Sequence, residues 1–171
     1  MSSSTFIVNF VGQASPATIK NLASVTHENG GKWLVSKVNF IEDHVAAVIK
    51  VELPTDNVQA VKSAFSEQQG LLVQITDTAE HRHDQEEVFQ LRLDANDRAG
   101  IVNEITQFLD GQDIRILDMD CQRVFIAGGG GIGSSLFTAT MALKIPAAMQ
   151  IKDVASELES LSEDTRVILE S

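Results

Sequence analysis

This 171-residue chain runs through one order of elements twice, and few folds accommodate that. From Phe6 the pattern is strand, helix, strand, strand, helix, strand, and from Val88 the same order returns. The first pass holds Phe6–Phe10, a helix opened by Ser15-Pro16, a turn at Asn29-Gly30-Gly31, two strands closing at Leu53-Pro54, a second helix, and Leu71–Ile75. The second holds Phe89–Leu93, a helix opened by Asp97-Arg98, Gly111, two strands closing at Ile145-Pro146, another helix, and Arg166–Leu169. Gly30 and Gly111 lie 81 positions apart, whereas Pro54 and Pro146 lie 92 apart, so the second copy carries 11 more residues between its middle strands. The glycine-rich run Ala127–Ser135 falls in that insertion.

Hydrophobic periodicity assigns the elements. Phe137, Ala139, Met141, Leu143 and Ile145 alternate with polar or small residues, as do Val45, Ala47, Ile49, Val51 and Leu53, and Phe89, Leu91 and Leu93. Period two means one buried face per strand, the habit of antiparallel or mixed sheets. Ile101, Val102, Ile105, Phe108 and Leu109 follow helical spacing, with Gly111 as the expected stop. Ser15 and Pro16 suit the cap and first position of a helix that turns Ile19, Leu22 and Ala23 inward. Val58, Val61 and Phe65 mark the second helix of the first copy; Val154, Leu158 and Leu161 mark its counterpart. The expected architecture is α+β: a ferredoxin-like βαββαβ unit repeated twice, with antiparallel sheets and helices on one face. The domains are read as 1–76 and 88–171, joined by an acidic linker over 77–87.

The charge pattern excludes several functions. Net charge is −11 at pH 7, and residues 1–76 hold 5 basic and 6 acidic groups against 7 and 13 in residues 88–171. Neither copy offers a phosphate-neutralising surface, and with no tyrosine and one tryptophan the chain lacks a base-stacking platform, so direct nucleic-acid binding is not expected. No apolar run approaches the roughly 20 residues of a membrane helix. Met1–Thr5 has no basic region and no export signal is expected, while the single Cys121 cannot form an internal disulfide; the expected setting is cytoplasmic.

Four segments qualify as candidate sites. Gly128–Gly133 satisfies G-x-G-x-x-G but runs into Ser134, Ser135 and a strand, so no helix dipole receives a pyrophosphate; a hairpin loop is expected. His81, His83 and Asp84 sit in the linker without the converging frame a metal needs. No nucleophile elbow or carboxylate pair accompanies Cys121, so catalysis is not expected, nor is any metal or cofactor. The fourth segment is the turn Asp94–Val102. Gly100 lets a ligand approach the backbone, and the first-turn amides around Ala99–Ile101 suit a carboxylate. The alternative is a capped helix start, with Asp97 as the cap and Gly100 packed on the sheet.

Asp97-Arg98-Ala99-Gly100-Ile101-Val102 resembles the D-R-P-G-I-V signature of ACT domains, and Gly111–Ile114 resembles the G-V-N-I that follows their first helix. Leu143–Pro146, Val154, Leu158, Leu161–Thr165 and Val167 resemble more narrowly the second ACT domain of the glycine cleavage system transcriptional repressor group. The resemblance implies control by a small amino acid held at the seam between domains by Asn96, Asp97, Arg98, Ala99, Gly100 and Ile101. It also implies a contact from Asp113, where many members have an amide. Ala99 departs from the usual proline. In the first copy Gln13–Ala17 stands in place of the signature and Lys32 in place of the amide, which makes 1–76 a degenerate ACT-like domain serving as a pairing partner.

The resulting expectation is a non-catalytic amino-acid-sensing regulator. It binds glycine or a similar effector and acts as a homo-dimer on a protein partner such as a transcription regulator, with no direct contact to nucleic acid or membrane. The rival expectation is a structural oligomerisation module whose ligand site has decayed.

Overall fold

A computed structural model describes residues 2–78, 87–127 and 133–170. The chain divides into two compact units, Met1–Arg82 and His83–Ser171. Unit 1 contains β1 (Ser3–Gln13), α1 (Pro16–Glu28), β2 (Lys32–Ile41), β3 (His44–Pro54), α2 (Val58–Ser66) and β4 (Leu71–Asp77). Unit 2 contains β5 (Val88–Asn96), α3 (Ile101–Gly111), β6 (Arg115–Ala127), β7 (Gly133–Lys144), α4 (Ile151–Glu159) and β8 (Arg166–Glu170). Each forms a four-stranded antiparallel sheet, in the order β2-β3-β1-β4 and β6-β7-β5-β8. The doubled βαββαβ architecture read from periodicity is the one observed. The linker histidines His81 and His83 and most of the glycine run lie outside the described residues, although its flanking strands pair up to Ala127 and Gly133.

Alternation decides which face each sheet buries. Phe6, Val8 and Phe10 of β1 and the five residues Val45 to Leu53 of β3 seal against Leu22, Val61 and Phe65 from the two helices. In unit 2, Leu91, Leu93 and Ala95 with Phe137, Ala139, Met141 and Leu143 meet Ile101, Ile105, Leu109, Val154 and Leu158. Each fully buried Leu, Ile or Phe contributes about 1.5–3 kcal/mol, so the two central strands carry most of the unit 1 core, whereas in unit 2 they share it evenly with the helices and loops. Thr26 adds a buried polar group, its Oγ1 donating to the Leu22 carbonyl at 2.9 Å and accepting from Trp33 Nε1 at 3.1 Å.

The repeat extends to irregularities that periodicity cannot show. A bulge interrupts β2 between Trp33 and Val35, and another interrupts β6 between Ile116 and Asp118. Both are 83 positions apart, leaving Leu34 and Leu117 at equivalent places on outer strands.

Helix ends differ in part from the sequence reading. Ser15 is the N-cap of α1 and Pro16 its first residue, but the Ser15 side chain makes no capping bond. Gly111 ends α3 without acting as its stop: the left-handed residue is Asp113, at φ +57, and the Ile114 amide reaches back to the Leu109 carbonyl at 3.0 Å. Asp is among the few residues that tolerate this conformation.

Gly12 is a positional requirement. Its φ is +149, and a Cβ there would sit 2.0 Å from the Gly70 carbonyl oxygen. Gly12→Ala is expected to destabilise unit 1 by about 2 kcal/mol or more. Gly111→Ala, where a Cβ meets nothing within 4 Å, is expected to stabilise unit 2 by about 0.5–1 kcal/mol. Urea unfolding of both variants reads the two signs; Gly12→Ala with an unchanged midpoint would refute the steric account.

Candidate functional site

The turn between β5 and α3 has to leave the sheet and start a helix within four residues. Asn96 closes the strand, Asp97–Gly100 form the turn, and Ile101 opens α3. Gly100 is the N-cap residue at φ +83 and ψ 3, a left-handed angle glycine adopts without steric cost. A Cβ at Gly100 would meet nothing within 4 Å. The glycine therefore serves the backbone angle and leaves open space outside it, contrary to the alternative that it packs on the sheet.

No side chain caps α3. The first N–H groups of a helix have no intrahelical partner, and their dipoles favour an anion. Asp97, read as the alternative cap, is turned elsewhere: its two carboxylate oxygens accept from Arg123 Nε, each at 3.0 Å, and Oδ2 accepts from Ser135 Oγ at 3.3 Å. The Asp97 amide donates to the Ser135 carbonyl at 2.9 Å, so the turn is held to the β6–β7 hairpin on two sides.

Two further carboxylates frame the corner. Arg98 Nη2 pairs with Glu104 Oε2 at 2.6 Å. The hydrogen bond between them holds Glu104 below its ordinary value and Arg98 above its own, with desolvation opposing both. Asp164 accepts from the Asn96 amide at 2.6 Å and from Ser162 Oγ at 2.7 Å. Those bonds, Ser162 first, with Arg98 at longer range, hold the Asp164 carboxyl below its usual range.

The fold brings Asn96, Asp97, Arg98, Ala99, Gly100 and Ile101 to one corner. Ile101 is buried, so it offers the corner its amide and not its side chain. Asp113 is not brought there within the same unit. It follows the other end of an eleven-residue helix, about 16 Å away at 1.5 Å per residue. Arg123, Ser135, Glu104 and Asp164 complete the corner unannounced by the motif. Glu104 is legible as an acidic residue in a first turn; Arg123, Ser135 and Asp164 come from distant strands and a loop, and only strand register delivers them.

The corresponding turn of unit 1 is closed by backbone. Gln13 donates to the Gly70 carbonyl at 3.2 Å and Ala14 to the Asp43 carbonyl at 3.4 Å. The same two neighbours recur in both units, the loop before the last strand and the central hairpin, but only unit 2 uses a carboxylate, Asp164, for the first contact.

Elsewhere the titratable groups offer little chemistry. Cys121 is half-buried on β6, and burial, then the Asp120 charge, push its thiol up, with Arg123 opposing. A thiol so placed stays protonated near neutrality. Among the described residues no three His, Cys, Asp or Glu side chains converge as a metal site, and no described helix is long and apolar enough to cross a membrane.

Residues 4–76 match the ACT domain family. The match falls on unit 1, the copy without the Asp-Arg-Ala-Gly motif. Over its length the chain is similar to two solved structures. One is an unknown protein from Galdieria sulphuraria, with a TM-score of 0.79 at 17% identity, covering 99% of this chain and 98% of that one. The other is a protein proposed to be a glycine cleavage system transcriptional repressor, with a TM-score of 0.68 at 13% identity, covering 99% and 100%. At these identities the likeness is one of fold. No curated protein matches.

Because Glu104 and Asp164 have lowered folded-state pKa values, their stabilisation is complete above the ordinary carboxylate range and is lost as pH falls through the lowered values. Unit 2 is expected to hold its urea midpoint from neutrality down to about pH 5 and to lose stability below about pH 4. The combined Glu104→Gln and Asp164→Asn variant is expected to show a shallower acid loss.

Proposed function

We propose that the chain is a non-catalytic, amino-acid-sensing regulatory protein, similar to the glycine cleavage system transcriptional repressors. In this reading it works in the cytoplasm as a homo-dimer, acting through contact with a protein such as a transcription regulator. One observation carries the sensing role: the helix start at Gly100 is uncapped and faces open space. A small amino acid such as glycine sets its carboxylate on the amides of Ala99, Gly100 and Ile101, where helix-end dipoles favour negative charge.

The ammonium group turns to Asp97. An ionised carboxylate has about four acceptor positions, and Arg123 and Ser135 use three contacts of Asp97. Asp113 of the same unit is out of reach, so it takes part only when a second copy supplies it. Occupancy changes regulation only by the difference in ligand affinity between two states of the protein.

A second reading is favoured by a specific feature of unit 1. The sheet face away from the helices exposes Val11 at 49%, Val48 at 51% and Leu72 at 78%. Such a face suits a structural module whose contacts do not depend on any effector.

Isothermal titration with glycine and related small amino acids tests the sensing role, with heat of binding expected for at least one. Gly100→Ala is expected to cost about 1 kcal/mol of stability through its left-handed angle and to weaken binding, because the new methyl occupies the approach to the amides. Silence across the amino acids, with self-association unchanged by them in sedimentation, would favour the structural module.

A further inference from the structure

The face of the unit 2 sheet turned away from its helices is built differently from its counterpart in unit 1. Strand register lays its side chains out in rows. Asp120 of β6 sits opposite Thr140 of β7, and Thr140 opposite Arg92 of β5. In the next row Gln122 sits opposite Thr138, and Thr138 opposite Asp94. These six residues and Leu136 line a cavity of about 440 Å³.

Part of this cluster is internally satisfied and part is not. Thr138 Oγ1 donates to Asp94 Oδ1 at 2.7 Å, and Arg92 Nη2 pairs with Asp94 Oδ2 at 3.2 Å. Arg92 Nε is buried with no partner, leaving its guanidinium with one ion pair for five N–H donors. Among the described residues the side chains of Asp120, Gln122 and Thr140 carry no hydrogen bond or ion pair. A carboxylate on one outer strand and an under-used guanidinium on an inner strand thus flank a row of hydroxyls.

Unit 1 supplies the internal comparison. Its register pairs Asn9 with Val48 and Val11 with Ala46, the positions of Arg92 with Thr140 and of Asp94 with Thr138. The fold therefore tolerates Val and Ala where unit 2 has two threonines, and it needs neither the guanidinium nor Asp94 to form the sheet. The polar set in unit 2 is not a requirement of the βαββαβ architecture.

We propose that this trough is a second small-molecule site, which receives a small zwitterion bearing one ammonium and one carboxylate group. The ammonium meets Asp120. The carboxylate meets Arg92, whose guanidinium turns to present its orphaned Nε. Thr140 and Gln122 offer further hydrogen bonds to these two charged ends. The ligand class is that of the sensing role above, and the inference rests on that reading for nothing else, because no residue is shared with the turn at Gly100.

The test is a titration of the whole protein followed by ¹H–¹⁵N amide shifts, with glycine and β-alanine as zwitterions and with methylamine and acetate as single-charge controls. The expected result is saturable shifts at Gln122, Thr138 and Thr140 with a zwitterion and none with either control. Arg92→Gln and Asp120→Asn are each expected to weaken binding about tenfold, the usual cost of one charge-assisted hydrogen bond. Thr140→Val copies the residue unit 1 already carries, so it keeps the test valid if a charge variant unfolds; it too is expected to weaken binding. Shifts confined to residues 97–103 would overturn this site and leave the turn standing, whereas shifts confined to the sheet face would do the reverse. Silence everywhere overturns both.

Discussion

Each unit is organised around one pair of central antiparallel strands, β1 with β3 and β5 with β7. Their alternating side chains commit one face to the helices. Phe6, Val8 and Phe10 cannot be buried without the facing set from Val45 to Leu53 being buried beside them, because the register is continuous from Ser3 to Gln13. A slip of one residue would put the two sets on opposite faces of the sheet and expose one of them. The helices cover what this pairing presents, and the turn at Gly100 exists because β5 has to hand its chain to α3 at the end of that paired stretch.

The same pairing leaves the opposite face free, and there the two copies have diverged. Unit 1 keeps Val11, Ala46 and Val48, while unit 2 carries Asp94, Thr138 and Thr140 at the matching places. The turns diverged as well: in unit 1 the Gln13 and Ala14 amides close on the Gly70 and Asp43 carbonyls, while in unit 2 Gly100 opens on solvent. Two copies with one architecture thus differ where no core packing restrains them. The ACT family match falls on unit 1, and the Asp-Arg-Ala-Gly motif lies in unit 2.

Much of this was legible in the chain. Period two at Phe137–Ile145 named a buried strand face, and all five of those residues are buried. Helical spacing from Ile101 to Leu109 named the inner face of α3, with Ile101, Ile105 and Leu109 buried. The motif placed a glycine-led turn before that helix. What stayed hidden depended on long-range register. Arg123 reaches Asp97 across 26 positions and Asp164 reaches Asn96 across 68. The bulges at Leu34 and Leu117 leave no periodic trace. Gly111 suits the stop of α3 because glycine favours left-handed angles, yet the chain spends that angle on Asp113, two positions later.

By itself the sequence determined the order of elements, their inner faces and the duplication, because those follow from local periodicity and from Gly and Pro at chain turns. Tertiary structure alone decided which polar groups meet. Asp97 becomes an acceptor for Arg123 and Ser135, Arg98 closes on Glu104, and Asp113 ends at the far end of α3 from Gly100. The physical reason is range: a hydrophobic stripe is specified within a few residues of itself, whereas a hydrogen bond between strands exists only once the sheet has set its register.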